Sequence, residues 1–322
     1  PRVISDLRRV GGVHRQGVHC DFCHKIADVR TDQVGLDHGR FAMRLLRPPP
    51  AEQLFLGPLD DEDRSHSVYS PLYRQSRYCA SCHEGILFGT HAYSEYSEWL
   101  ASPYAERGGE GQDCHMAPTG KMTNLAPGHG GVARDPQTLA SHGSLRNRPE
   151  DLRRYLSLSI DAQADGEQLD VATEVAMRDV GHRFPTGYPG RQLILWVHAT
   201  DADGQALGLL EGPALPPLAG EGPVAEGGLA GQPGRLYAKQ LEGLDGAVPV
   251  PYWRPNRVAA DTRLVPDATD RARFRFSRPQ GEVTVVARLL YRRFSKHLAD
   301  QKGWPDNEHV VVTKKWFSHK EP

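Results

Sequence analysis

Gly17-Val18-His19-Cys20-Asp21-Phe22-Cys23-His24-Lys25 and Tyr78-Cys79-Ala80-Ser81-Cys82-His83-Glu84 carry one pattern twice: two cysteines three positions apart, followed at once by histidine. C-x-x-C-H is the spacing of covalent c-type haem attachment. On one helical turn both thiols reach vinyl groups of the same porphyrin, and the next residue falls beneath the iron as proximal ligand. Three other uses of the cysteines compete. A thioredoxin-like pair needs a βαβ setting, which these loops lack. A Cys₄ zinc site leaves both following histidines unexplained. Disulfides ignore the local pattern altogether.

A third stretch, Gly111-Gln112-Asp113-Cys114-His115-Met116, repeats the second half of the motif with Gly111 where the first cysteine belongs. It reads as a haem held through one thioether at Cys114, with His115 as proximal ligand. The cofactor expectation is therefore haem c at Cys20/Cys23/His24 and Cys79/Cys82/His83, and a third at Cys114/His115.

All 5 cysteines lie in the first 115 residues, and most of the 15 histidines precede residue 150. The histidine surplus points to imidazole as the sixth ligand, because bis-imidazole ligation tunes multihaem sites to low potential. Methionine is the alternative, with only 4 in the chain. His66, in Ser65-His66-Ser67, and His142, in Ala140-Ser141-His142-Gly143, stand out as distal ligands. The third distal ligand is left open among His14, His91, His129 and His182.

The chain of 322 residues is long enough for two domains. Its hydrophobic fraction of 39%, with 33 Gly and 25 Pro, suits a loop-rich protein whose interior is filled partly by something other than side chains. A net charge of -1 argues against nucleic acid or an anionic membrane as the main partner. No apolar stretch is long enough to span a bilayer. The start at Pro1 is read as a processed or incomplete form.

Residues 1–148 form the expected haem-rich domain, with short helices and long loops. Residues 94–106 read as a helix packing on a porphyrin face, and Arg47-Pro48-Pro49-Pro50 as a polyproline connector. From 149 to 322 the period becomes two. Leu156, Leu158 and Ile160 alternate, Asp165-Gly166 marks a hairpin turn, and Leu169, Val171, Thr173 and Val175 return. Further strands are expected over 192–200, 272–276 and 283–290. The fold class is thus α+β: a loop-rich multihaem domain followed by an antiparallel, immunoglobulin-like β-sandwich without the Cys…Trp…Cys core. The Gly/Pro-rich excursion 211–235 is expected to cover a haem edge or a partner chain. In Gly181-His182-Arg183-Phe184-Pro185-Thr186-Gly187 the histidine is read first as fixing its own turn.

The three motifs, together with Glu98-Trp99-Leu100-Ala101-Ser102-Pro103-Tyr104, the 181–187 turn and Tyr237-Ala238-Lys239, resemble bacterial multihaem c-type cytochromes in which a β-sandwich follows the haems. The resemblance covers most of the chain, and Gly111 departs from it. It implies bis-histidine haems in a closely spaced wire, located in the periplasm or outside the cell, with further motifs upstream in many members. It implies electron transfer with redox partner proteins such as other cytochromes, and assembly into an oligomer, filament or larger complex. The docking role would fall to the β-sandwich. The competing expectation is a multihaem oxidoreductase with one open-coordinated iron acting on nitrogen or sulfur compounds, which needs acid–base groups beside that iron.

Overall fold

The computed structural model describes residues 11–12, 18–36, 39, 41–60, 67–125, 127–128, 131–143, 148–305 and 307–318. Its N-terminal part is assembled from elements of one or two turns. Helices α1 (Cys20–Cys23), α2 (Arg77–Ala80), α3 (Glu95–Leu100), α4 (Pro103–Glu106) and α5 (Gly111–His115) carry or flank the three motifs. Between them lie seven short strands: β1 (Ile26–Val29), β2 (Gly35–Leu36), β3 (Met43–Leu45), β4 (Phe55–Gly57), β5 (Ser67–Tyr69), β6 (Glu84–Leu87) and β7 (Thr90–Ser94). They pair as β1-β3, β4-β5 and β2-β6-β7. None is long enough to show alternation in the sequence, so the expected loops prove to be small sheets.

Helices this short are unstable alone in water, since nucleation costs more than one turn returns. Packing and capping fix them instead. Ile26, Val29, Ala42 and Leu72 form a small buried core, against which Phe22, Tyr73 and Tyr78 pack. The expected 94–106 helix is two, because Pro103 starts a new one: Ser102 caps it by accepting the Tyr104 N–H at 3.3 Å.

After α6 (Pro149–Leu152) the chain is β-rich. It runs through β8 (Leu156–Asp165), β9 (Gln168–Met177), β10 (Gln192–Asp201), β11 (Leu209–Glu211), β12 (Gly234–Tyr237), β13 (Lys239–Gly243), β14 (Asn256–Asp261), β15 (Thr269–Ser277) and β16 (Val283–Arg292), then helix α7 (Lys296–Lys302) and β17 (Glu308–Phe317). Two four-stranded antiparallel sheets, ordered β11-β15-β9-β8 and β12-β10-β16-β17, share one core. Leu158, Leu169, Val171, Phe274 and Phe276 from one sheet meet Leu193, Leu195, Val197, Val285 and Leu289 from the other. The period-two reading is satisfied, with the β8–β9 turn one residue later than expected: Asp165 pairs with Gln168, leaving Gly166-Glu167 as the tip, with Gly166 at φ +56.

The 211–235 excursion packs on the second sheet. Leu215, Ala219 and Leu229 pack with Ile194, Leu236 and Leu290 on the outer face of the second sheet. Buried Arg292 pins it, donating to Ala219 O at 2.6 Å and Gly227 O at 2.7 Å while pairing with Glu308 at 2.6 Å. Covering that face explains the unbroken apolar run of β10, which is buried on both sides.

The two parts of the chain are joined by hydrogen bonds from several directions. Thr90 Oγ1 donates to Asn256 O at 2.9 Å, Lys239 Nζ to His91 O at 3.0 Å, and Tyr104 OH to Asp267 Oδ1 at 2.9 Å.

Candidate functional site

Each motif folds as the single turn its spacing requires. The His24 N–H donates to Cys20 O at 2.8 Å and the His83 N–H to Cys79 O at 2.9 Å. The third motif occupies all of α5, from Gly111 to His115, so residue 111 holds the place that Cys20 and Cys79 hold in the others. No disulfide joins any of the five cysteines. Burial pushes the Cys79 thiol up to about 11, and burial likewise raises Cys82 and Cys114. Among the described residues no three His, Cys, Asp or Glu converge as a cage for a metal ion.

The motif helices are lashed to one another. Tyr73 and Tyr78, from the approach to the second motif, donate their hydroxyls to Cys23 O of the first at 2.7 and 3.1 Å. Arg77 Nη1 donates to Val29 O at 2.8 Å and pairs with Asp28 at 3.1 Å. The starts of α2 and α5 are tied reciprocally. Ser76 N–H donates to Glu110 Oε2 at 2.5 Å, Gly111 N–H to Ser76 Oγ at 2.7 Å, and Gln112 Nε2 to Gln75 O at 2.7 Å. These bonds satisfy donors that a helix start leaves without intrahelical partners, and they fix the spacing of the three sites.

Two imidazole pairs result. The ring centres of His24 and His142 lie 6.3 Å apart with planes 27° from parallel; those of His115 and His182 lie 6.2 Å apart at 16°. Two metal–nitrogen bonds of about 2 Å plus the half-widths of two imidazole rings come to about 6 Å. The centre-to-centre spacing of each pair thus matches that of two imidazoles on one iron. Three of the four rings use Nδ1 on a carbonyl: His24 on Leu56 O at 2.6 Å, His142 on Ala140 O at 3.0 Å, and His182 on Arg183 O at 3.1 Å. Donation from Nδ1 leaves Nε2 as the lone-pair nitrogen, the arrangement that outer-shell partners impose on metal-ligating histidines. Burial lowers the His24 pKa, assisted by His142 and opposed by the Leu56 carbonyl. Burial also lowers that of His115, with His182 and His83 adding to the effect. Both rings thus favour the neutral form, the one that metal ligation requires.

His142 is held in place by the third motif, because the Ser141 N–H donates to Met116 O at 2.9 Å. His24 also stacks on Tyr73, with ring centres 5.4 Å apart. The second site differs. Glu95 Oε1 lies 3.9 Å from His83 Nδ1 and raises the histidine's pKa. His66, His14 and His129 lie outside the described residues. His91 is engaged elsewhere, its Nδ1 2.8 Å from Glu84 Oε1, and no ring pairing joins it to a proximal histidine among the described residues.

Several site residues escaped the sequence reading. Tyr73 and Glu95 stand 50 and 12 residues from the groups they serve only through tertiary structure, and nothing local marks them. Tyr78, adjoining Cys79, was within reach of a motif-based reading.

No protein-family model matches the chain, and no curated protein does. Among solved structures it is similar to a penta-heme cytochrome c552 from Thermochromatium tepidum, with a TM-score of 0.65 and 18% identity over 94% of this chain and 77% of that one. The fold is that of a multihaem cytochrome. No helix among the described residues is long and apolar enough to cross a membrane.

Proposed function

We propose that the chain is a multihaem c-type cytochrome that transfers electrons in the periplasm or outside the cell. Cys20, Cys23 and His24 would hold one haem, Cys79, Cys82 and His83 a second, and Cys114 with His115 a third through a single thioether. His142 and His182 serve as sixth ligands at the first and third sites. The observation that carries this reading is the pair of imidazole couples at 6.3 and 6.2 Å. Bound haem supplies a one-electron iron couple. The protein's part is spacing and ligand control: the Ser76–Glu110 and Tyr73–Cys23 ties hold the three motifs in fixed relation, and the Nδ1 bonds aim the rings. Residues 1–148 form the haem domain. Residues 149–322 form an immunoglobulin-like sandwich that serves docking or assembly with redox partner proteins.

Intact mass under denaturing conditions tests the reading, since each covalent porphyrin adds a fixed increment. Three increments are expected in all, with low-spin ferric spectra at the His24 and His115 sites. A colourless protein from a host competent in cytochrome maturation overturns it. A high-spin signal assigned to the His83 site, where Glu95 stands beside the ring, would favour the oxidoreductase reading.

A further inference from the structure

Glu98 lies on α3, between the second and third motifs, yet both its oxygens reach the C-terminal part of the chain. Oε1 accepts from Ser94 Oγ at 2.7 Å and pairs with Arg263 Nη2 at 2.6 Å. Oε2 accepts the backbone N–H of Arg183 at 3.0 Å. The Glu98 and Arg263 side chains are 11% and 5% exposed, so the contact is shielded from water.

Arg183 follows His182 directly, and its carbonyl is the one that His182 Nδ1 contacts at 3.1 Å. One peptide segment is thereby gripped twice: its N–H by a carboxylate from the haem-bearing part, its C=O by the imidazole itself. The surroundings leave the turn little room. A β-carbon on Gly181 would stand 3.3 Å from Trp99 Cδ1 and 3.5 Å from Tyr104 Cβ, on α3 and α4. Phe184 exchanges backbone hydrogen bonds with Leu264 at 2.9 Å in both directions, and Leu264 adjoins Arg263. An ion pair between the two parts would account for Arg263, which Asp261 also holds at 2.7 Å. It does not account for the bond to Arg183 N–H.

We infer that Glu98 is a positioning residue for His182, holding its imidazole opposite His115 by gripping the next peptide group. The inference rests on the haem reading above. It also gives the Glu98-Trp99 segment a function: α3 sets the sixth ligand of a site whose proximal ligand comes from α5.

The test uses the full chain carrying its haems, with ferric spectra recorded during titration with imidazole. His182→Ala should convert one site to high spin and imidazole should return it to low spin, which marks the third site. Glu98→Ala should retain the haem content but let imidazole displace His182 about tenfold more readily, the weight of one hydrogen bond. Glu98→Gln keeps an acceptor oxygen for Arg183 N–H while surrendering the charge facing Arg263, so it should titrate close to the parent. If Glu98→Ala titrates like the parent while His182→Ala behaves as described, the positioning role is refuted. If Glu98→Gln matches Glu98→Ala, the ion pair carries the effect and the inference also falls. If His182→Ala produces no high-spin share, His182 is not a ligand and the haem reading of that site fails on its own.

Discussion

Gly111→Cys would restore the missing cysteine of the third motif, and the structure states what the substitution costs. A β-carbon at residue 111 meets only Ser76 Oγ, at 3.5 Å, which is ordinary van der Waals contact. Residue 111 is the first residue of α5 and is not among the positive-φ glycines, so no backbone strain is introduced. Its N–H can keep donating to Ser76 Oγ, since that bond involves the main chain. Replacing glycine in a helix gains up to about 1 kcal/mol against alanine, and cysteine's poorer helix propensity returns about half of it. Stability should therefore change by less than about 1 kcal/mol, and the haem count should stay at three. The pyridine haemochrome is the decisive assay, because saturating the remaining vinyl group moves the α-band of that haem to shorter wavelength. Matured Gly111→Cys should show this shift for one haem in three. An unchanged band at an unchanged haem count would refute the placement of residue 111 over the second vinyl. A count of two in both proteins would show that Cys114 and His115 hold no covalent haem.

Glu95→Gln should raise the reduction potential of the His83 site, because an outer-shell carboxylate makes an imidazole more basic and favours ferric iron; spectroelectrochemical titration should read about 60 mV for each tenfold loss of that preference. Tyr73→Phe removes a hydroxyl that donates to Cys23 O and Ile26 O. It should cost about 1–3 kcal/mol in denaturant unfolding while the ring against His24 keeps that site's spectrum unchanged. Burial alone would raise the Asp261 carboxyl, but its hydrogen bond to Arg263 and the charges of Arg263, Lys239 and Arg183 outweigh this and hold it below the usual range. A depressed carboxyl stabilises the fold above its unfolded value, about 3.9, and that contribution disappears as pH falls through the folded value. Thermal unfolding below pH about 4 should therefore be steeper for the parent than for Asp261→Asn; parallel curves would show that the pairing contributes nothing.

The motif residues were legible because covalent attachment demands a fixed local spacing that chance rarely supplies. The alternating strands were legible for a related reason: β8 and β9 expose one face, so their burial follows the period of two. β10 gave a less specific signal because the 211–235 excursion buries its outer face as well. Of the two rings that pair with motif histidines, His142 was singled out in the sequence, whereas His182 was left open among four. His142 is set by a bond from its neighbour Ser141 to Met116, and His182 by contacts with α3, neither of which leaves a trace within a few residues of the histidine. His91 looked equivalent until Glu84, seven positions earlier, was found across a hairpin from it. The seven strands of the N-terminal part were invisible because strands of two to five residues carry no period.

Because His142 hangs from Met116 and His182 belongs to the turn between β9 and β10, both second imidazoles are synthesised after all three motifs. A nascent chain consequently presents His24 and His115 while the ring that pairs with each is still to come. The turn bearing His182 is braced by Leu264, and the sheet beside it is finished only by β17 near the end of the chain. Under the proposed assignment loading could precede closure, and a truncation that spares every cysteine would still leave the His115 site without His182.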